Sequence, residues 1–533
     1  MSMLPSRSTR LSSNQVSVRE RSFFTMGAEN MPTNEMDRWA GRERSIIFWL
    51  CIVGACRVLL FSGVFPLFNN VDEQAHFDLV YKYSHGHLPR AGVENFSREA
   101  AELMVLYRTP EYLSKLDLFP GSVLPPPAWT YPNVRELEWF SREVSRREER
   151  INHESGSFPV YYMVAGLWCA AGRLLGIEGG NLLYWIRFLN VPLFAVLVWF
   201  SYLLARTLFP DTALQRVGLP LMAAFFPQDI FYSISNDAIS PLLFGVGFFL
   251  LLQVYFENKS GGYHLLTGLI VAATFLAKIS NAAVLVLLGV IVLLKVKRLL
   301  QENQVKKYLL RLAILLVSVT VPIGIWLARN YVVLGNFSGQ VETIEYAGWS
   351  AKPLGELWDH PICTPSGLLF FLTELTKTFW RGEFVWHLEQ IASWGVDLFY
   401  IISTTALLLA SGLGLILRRD KTDERQRFAL TMSFCVLVVS VLLLAVLSML
   451  YDFGTWYAPS QECPYFTFGR LISGVLLPFL VIYLDGLGRI SSRLWSRLNP
   501  LIIVSIIAAV ITLSELSLTL KVFTSPYNWF HLK

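Results

Sequence analysis

The sequence predicts an all-α fold: a polytopic transmembrane helical bundle of about eleven spans, with a large first outer loop carrying interfacial or re-entrant helices. Three observations lead there. Apolar runs of helix-spanning length recur from Ser45 to the end of the chain. Charged residues make up only 16% of the chain, against roughly a quarter in soluble domains. Clusters of Lys and Arg fill short gaps between the runs, while one long gap is acidic, the asymmetry expected of membrane topology.

Residues 1–44 are polar, rich in Ser and Arg and without an apolar core, which predicts a disordered cytoplasmic tail. No cleavable signal is read there, because the first apolar run is long and no small-residue cleavage site follows it. Spans are predicted at 45–66, 184–206, 216–234, 238–256, 264–278, 280–296, 308–330, 392–417, 428–451, 467–488 and 499–520. Basic clusters at Lys295 to Arg311, Arg418 to Arg427 and Arg489 to Arg497 place three turns on the inner side. The gap 331–391 holds seven acidic residues against Lys352, Lys377 and Arg381, which places it outside. Parity then makes 158–176 a re-entrant or interfacial helix of the first outer loop, 67–183. Residues 491–533 form the last cytoplasmic turn, the final span and an outer tail.

Within the first loop, Val134 to Ile151 has apolar residues at near-helical spacing among dense charge. It reads equally as a helix on the bilayer surface and as a solvated one. The net charge of +5 follows from loop topology, and no basic patch with interleaved aromatics suggests nucleic acid. The six cysteines lack metal-ligand spacing, and no metal cluster is visible. Cys363 and Cys463 fall in outer loops, so a disulfide between them stays open.

Polar residues gather at the outer ends of the spans. Asp72 and Glu73 stand at the exit of the first span, with His76 one helical turn after Asp72. Asp72 could equally cap the helix that starts there. Asp237, Lys278, Arg329 and Arg470 lie at outer span ends, and His153 precedes the 158–176 stretch. Ionisable groups at the membrane boundary are costly unless paired or used. Carboxylates from two loops with basic residues from three helices suggest a base beside a phosphate clamp. Arg57, near the middle of the first span, either lines the same cavity or pairs with an acid elsewhere.

These pieces, in order, are Asp72-Glu73-Gln74-Ala75-His76-Phe77, Phe158-Pro159-Val160-Tyr161-Tyr162 after His153, and Ser235-Asn236-Asp237-Ala238. Gly268-Leu269 through Lys278, Ala328-Arg329-Asn330 and Phe468-Gly469-Arg470-Leu471 follow. Over residues 45 to about 490 the chain resembles the GT-C superfamily of polytopic glycosyltransferases, which includes protein O-mannosyltransferases and the lipid A aminoarabinose transferase. The match is closest to a bacterial branch known only as membrane proteins of unknown function. Two positions depart from the family pattern: Phe158-Pro159 replaces a proline pair, and Leu471 replaces a tyrosine.

The resemblance implies a GT-C-like catalytic module at 45–490 in the plasma (inner) membrane. It implies transfer of a sugar from a polyprenyl-phosphate donor to a lipid-linked or cell-surface glycan acceptor on the outer face. Membrane lipids are the other expected partners, and no cofactor is called for. Asp72 would be the general base, with Glu73 beside it in the catalytic pair and Asp237 shaping the acceptor side. Lys278, Arg329 and Arg470 would clamp the leaving phosphate, and His76 and His153 would orient carboxylates or phosphate.

Two other classes share the gross features. A transporter or flippase for lipid-linked sugars often shows internal repeats and interrupted helices near the midplane, whereas no repeat is found here and the polar groups gather at one face. An O-antigen polymerase or ligase carries its key loop late in the chain, whereas the acidic pair here follows the first span. Nothing in the sequence sets an oligomeric state.

Overall fold

The computed structural model describes residues 33–417, 423–455, 458–494 and 498–532. Residues 1–32 of the expected tail, and Arg418, Arg419, Lys421 and Arg497 of the basic turns, lie outside them. The described chain is a helical bundle. Its helices are α1 (Thr33–Val64), α2 (Glu73–Ser84), α3 (Arg98–Tyr107), α4 (Glu138–Glu148), α5 (Pro159–Leu174), α6 (Gly179–Arg187), α7 (Asn190–Leu208), α8 (Ala213–Ala224) and α9 (Ser240–Phe256). There follow α10 (Gly261–Ala277), α11 (Ala283–Gln301), α12 (Val305–Leu334), α13 (Val341–Tyr346), α14 (Pro365–Arg381), α15 (Trp394–Ile416), α16 (Glu424–Leu450), α17 (Leu476–Leu494) and α18 (Pro500–Phe523). Residues 33–44, expected within the disordered tail, are therefore helical. Starts are set locally: Ser260, Thr364 and Asn499 cap α10, α14 and α18 with their side chains.

Among the described residues, eight helical stretches are long and apolar enough to cross a bilayer, and α9 and α10 are shorter apolar helices. Together these cover all the predicted spans but one. The stretch 216–234 is not a span: α8 ends at Ala224, and the chain continues through an extended segment into a 3-10 turn at Asp229–Tyr232. Pro227 explains the break, since it has no N–H to continue the helix and biases its predecessor to extended backbone.

A helix that stops in the buried interior, as α8 does at Ala224, leaves carbonyls that need partners. Arg57 supplies them. Its guanidinium donates to Ala224 O at 3.2 Å and Phe226 O at 3.0 Å, and pairs with Glu515 of α18 at 2.7 Å. Tyr232 completes the network with Arg57 and Glu515. The mid-span arginine is thus a cap for a broken helix, with its counter-charge on the last one.

Of these eight stretches, Gly469–Leu494 is the most enclosed. Since lipid tails are as apolar as the helices, close packing rather than transfer from water holds it there. Gly469 and Gly486 permit close approach: a Cβ on either would lie 2.0 Å from a neighbouring backbone atom, Phe379 N and Leu407 O.

The first loop region folds onto the bundle. Glu94–Asn95 pairs with Ile151–Asn152 in a short antiparallel ladder. Phe140 and Val144 of α4 bury against Ala101 and Val105 of α3, so the apolar stripe of 134–151 is spent on a neighbouring helix rather than on a bilayer surface. In α5, Tyr161, Tyr162, Ala165 and Cys169 pack on α2, while Met163, Leu167 and Leu174 stay exposed. Cys363 and Cys463 are free thiols. Of the tryptophans in 331–391, Trp380 and Trp386 are buried, Trp349 packs on Phe453 and Phe466, and Trp358 is exposed.

Candidate active site

Asp72 sits between α1 and α2 with φ at 60°. An L-residue pays to occupy this left-handed region, and aspartate is among the few that tolerate it. The side chain makes no capping hydrogen bond to α2, which removes the capping alternative. Instead Asp72 Oδ1 meets His153 Nε2 at 3.1 Å, and Oδ2 accepts from Arg470 at 2.9 Å. Burial would raise this carboxyl, but the Arg470 guanidinium and the His153 hydrogen bond hold it well below the usual carboxylate range. Burial likewise pushes His153 down, and its bond to Asp72 outweighs this, so the imidazole is raised.

His153 is delivered by the ladder residue Asn152, whose side chain donates to Ala75 O at 2.9 Å and Asp78 at 2.8 Å. From the second long loop, Thr343 donates to His153 O at 2.8 Å. Arg470 arrives at the head of the central helical stretch. Its guanidinium also approaches Asp237 at 4.0 Å and Glu383 at 3.3 Å. Asp237 in turn takes Lys278 at 2.5 Å. Asp72, His153, Asp237, Lys278 and Arg470 are therefore brought together in one cluster.

Three candidates take other partners, though His76 stays close enough to feel the charges of Asp72, Asp237 and Lys278. Glu73, expected beside Asp72, is fully buried and turned away from it. It forms a two-point pair with Arg187, at 2.6 and 2.7 Å, and accepts from Phe68 N and Ile234 N. Arg187 caps the end of α1 by donating to Ser62 O, Phe65 O and Pro66 O. The adjacent carboxylates thus divide: one faces the cluster and the other balances a capping arginine. His76 bonds Tyr162 Oη at 2.7 Å, and burial lowers its pKa. Arg329 donates to Pro89 O and to the Asn330 side chain, and lies 5.1 Å over the Trp326 ring, with no contact to Asp72 or Asp237.

Two carboxyls that sequence reading did not single out complete the cluster. Glu383 follows Gly382, whose φ of 76° and contact with Asp229 leave no room for a side chain. Asp229 accepts from Glu383 N at 2.7 Å. Burial raises Asp229 to about 6, and burial opposed by Arg470 and reinforced by Asp229, Asp237 and Asp72 raises Glu383 to about 8. An acid inside the apolar run 216–234 was a readable signal for Asp229. The hairpin after Glu383 is pinned to the first loop by His387 N donating to Glu111 O at 2.6 Å.

Asp72, His153 and Glu154 place ligand atoms within 4.8 Å of one another and could hold a divalent cation, a grouping the sequence did not reveal. Arg470 holds the Asp72 Oδ2 atom and His153 the Oδ1 atom, so a cation taken at Oδ1 would replace the His153 hydrogen bond and lie beside the Arg470 guanidinium.

A family model described as predicted membrane protein (DUF2142) matches residues 56–455. No curated protein matches the chain. Among solved structures, the oligosaccharyltransferase of Archaeoglobus fulgidus in complex with Zn and sulfate is 13% identical, with a TM-score of 0.35, over 69% of this chain and 44% of that one. Its apo form is 11% identical, with a TM-score of 0.39, over 89% of this chain and 55% of that one. The chain thus spans about half the length of the solved chains it resembles.

Proposed function

The chain belongs to the DUF2142 family of predicted membrane proteins, and, since that name carries no activity, we propose from the site that it is a membrane glycosyltransferase. It moves a sugar from a polyprenyl-phosphate donor to a hydroxyl of a lipid-linked or cell-surface glycan at the outer face. One observation carries the reading: a partly exposed Asp72, in a costly backbone conformation, is held between His153 and an arginine that also faces Asp237.

In the resting arrangement Asp72 is ionised but weakly basic, because Arg470 is bound to it. A base works best with its pKa near the operating pH. A donor phosphate competes for Arg470, whose planar fork suits phosphate oxygens. As Arg470 turns to phosphate, Asp72 recovers basicity and takes the proton of the acceptor hydroxyl. Arg470 and Lys278 then stabilise the charge that develops on the departing polyprenyl phosphate.

The test is transfer from a panel of radiolabelled polyprenyl-phosphate sugars by lipid-reconstituted protein. Asp72→Asn is expected to lose roughly 10²- to 10⁴-fold in turnover while donor binding persists. Equal turnover in wild type and variant would remove Asp72 from the chemistry. Loss of activity in chelator, restored by a divalent cation, would recast Asp72, His153 and Glu154 as ligands instead.

A further inference from the structure

Arg470 is crowded by acids. Asp72 approaches from the α1–α2 junction, Asp237 from the segment before α9, Glu383 from the loop after α14, and Asp229 stands behind Glu383. The permanent cations facing them are Arg470, Lys278 and, toward Asp229, Arg381, which is also paired with Asp397 at 2.8 Å. His153 is held by Asp72, and Tyr112 of the first loop is raised by burial and by the charges of Asp72, Glu383 and Asp229. Four carboxylates against two fixed cations that have no acid partner outside the cluster would repel an entering phosphate.

Two atoms at the centre remain open. Glu383 Oε1 is buried with no hydrogen-bond partner among the described residues. Arg470 Nε is also buried and unbonded, although it lies 3.3 Å from Glu383 Oε2. The whole Glu383 residue is 8% exposed. Buried polar atoms are rarely left so, and a phosphate oxygen could satisfy both, provided that the carboxyl donates.

We propose that Glu383 carries a proton at neutral pH and donates a hydrogen bond to an oxygen of the incoming lipid phosphate, beside Arg470 Nε–H. The proton stays on Glu383; its role is to let a site rich in acids accept an anion. The inference rests on the polyprenyl-phosphate reading above. Its electrostatics agree, since the surroundings that push Glu383 up to about 8 leave Asp229, at about 6, ionised at neutral pH.

The experiment uses the full-length protein in lipid and farnesyl methyl phosphodiester as probe, because its single charge stays fixed from pH 6 to 10. Wild type is expected to bind at pH 7 and to weaken roughly tenfold per unit well above pH 8, as the carboxyl ionises. Glu383→Gln, which keeps a donor without the ionisation, is expected to bind at pH 9 about as well as wild type does at pH 7. A second readout is stability. With its folded pKa raised, Glu383 contributes stability that is full below its unfolded pKa and is lost as pH rises through about 8. Wild type should lose melting temperature on that limb, and Glu383→Gln should not.

An unchanged alkaline limb in Glu383→Gln would overturn the proposal while leaving the transferase reading intact. A Gln-sensitive limb in a protein that turns over no sugar donor would do the reverse. No binding of the probe at any pH would sink both.

Discussion

Asp72 and Glu73 are neighbours in sequence with opposite fates, and the left-handed backbone at Asp72 is what parts them. It leaves one carboxylate partly exposed beside His153 and Arg470, while the next drops into a fully buried pair with Arg187. Their substitutions should separate accordingly. Glu73→Gln leaves Arg187 short of its counter-charge and is expected to cost about 3–5 kcal/mol, read as a lower melting temperature in detergent. Asp72→Asn should cost less of that temperature, since Arg470 keeps Asp237 and Glu383, while turnover falls, and an equal loss of stability would assign both residues to the framework. Most of the cluster was legible because ionisable groups at span ends stand out against apolar sequence. The side chains that turned elsewhere were not, since the backbone angle at Asp72 and the partners Arg187, Tyr162 and Pro89 come from distant segments.

The elements that carry the site are the irregular ones. Hydropathy alone joins 216–234 into one span, because Phe225, Phe226 and Ile230 are as apolar as the residues of α8. Pro227 divides it, and the freed segment brings Asp229 and then Asp237 to the cluster. The turn at Gly382 does the same for Glu383. Gly382→Ala combines a backbone conformation close to glycine-only with a Cβ 2.1 Å from the Asp229 carboxyl carbon. Its backbone part alone costs about 1–3 kcal/mol. It should displace Glu383 and weaken phosphate binding at every pH, which the pH series above separates from loss of the proton. A variant that binds like wild type would show that this turn does not position the carboxyl.

Across the whole molecule, periodicity and charge were enough to predict the helical bundle, whereas the network joining its ends was out of reach of local sequence. Arg57 and Glu515 are 458 residues apart and meet at 2.7 Å. Glu515→Ala is expected to destabilise by about 3–5 kcal/mol, because it strands a buried guanidinium, and to do so without altering phosphate affinity in the fraction that stays folded. Thermal unfolding followed together with probe binding would check both halves. The same pair bears on how the protein is made. A ribosome delivers Arg57 and the α8 break long before it delivers Glu515, so the growing chain holds an unbalanced cation among its early helices until α18 inserts. Insertion of α18 is then also the moment of charge closure, and a chain that stops short of α18 would remain visible to membrane quality control as unbalanced.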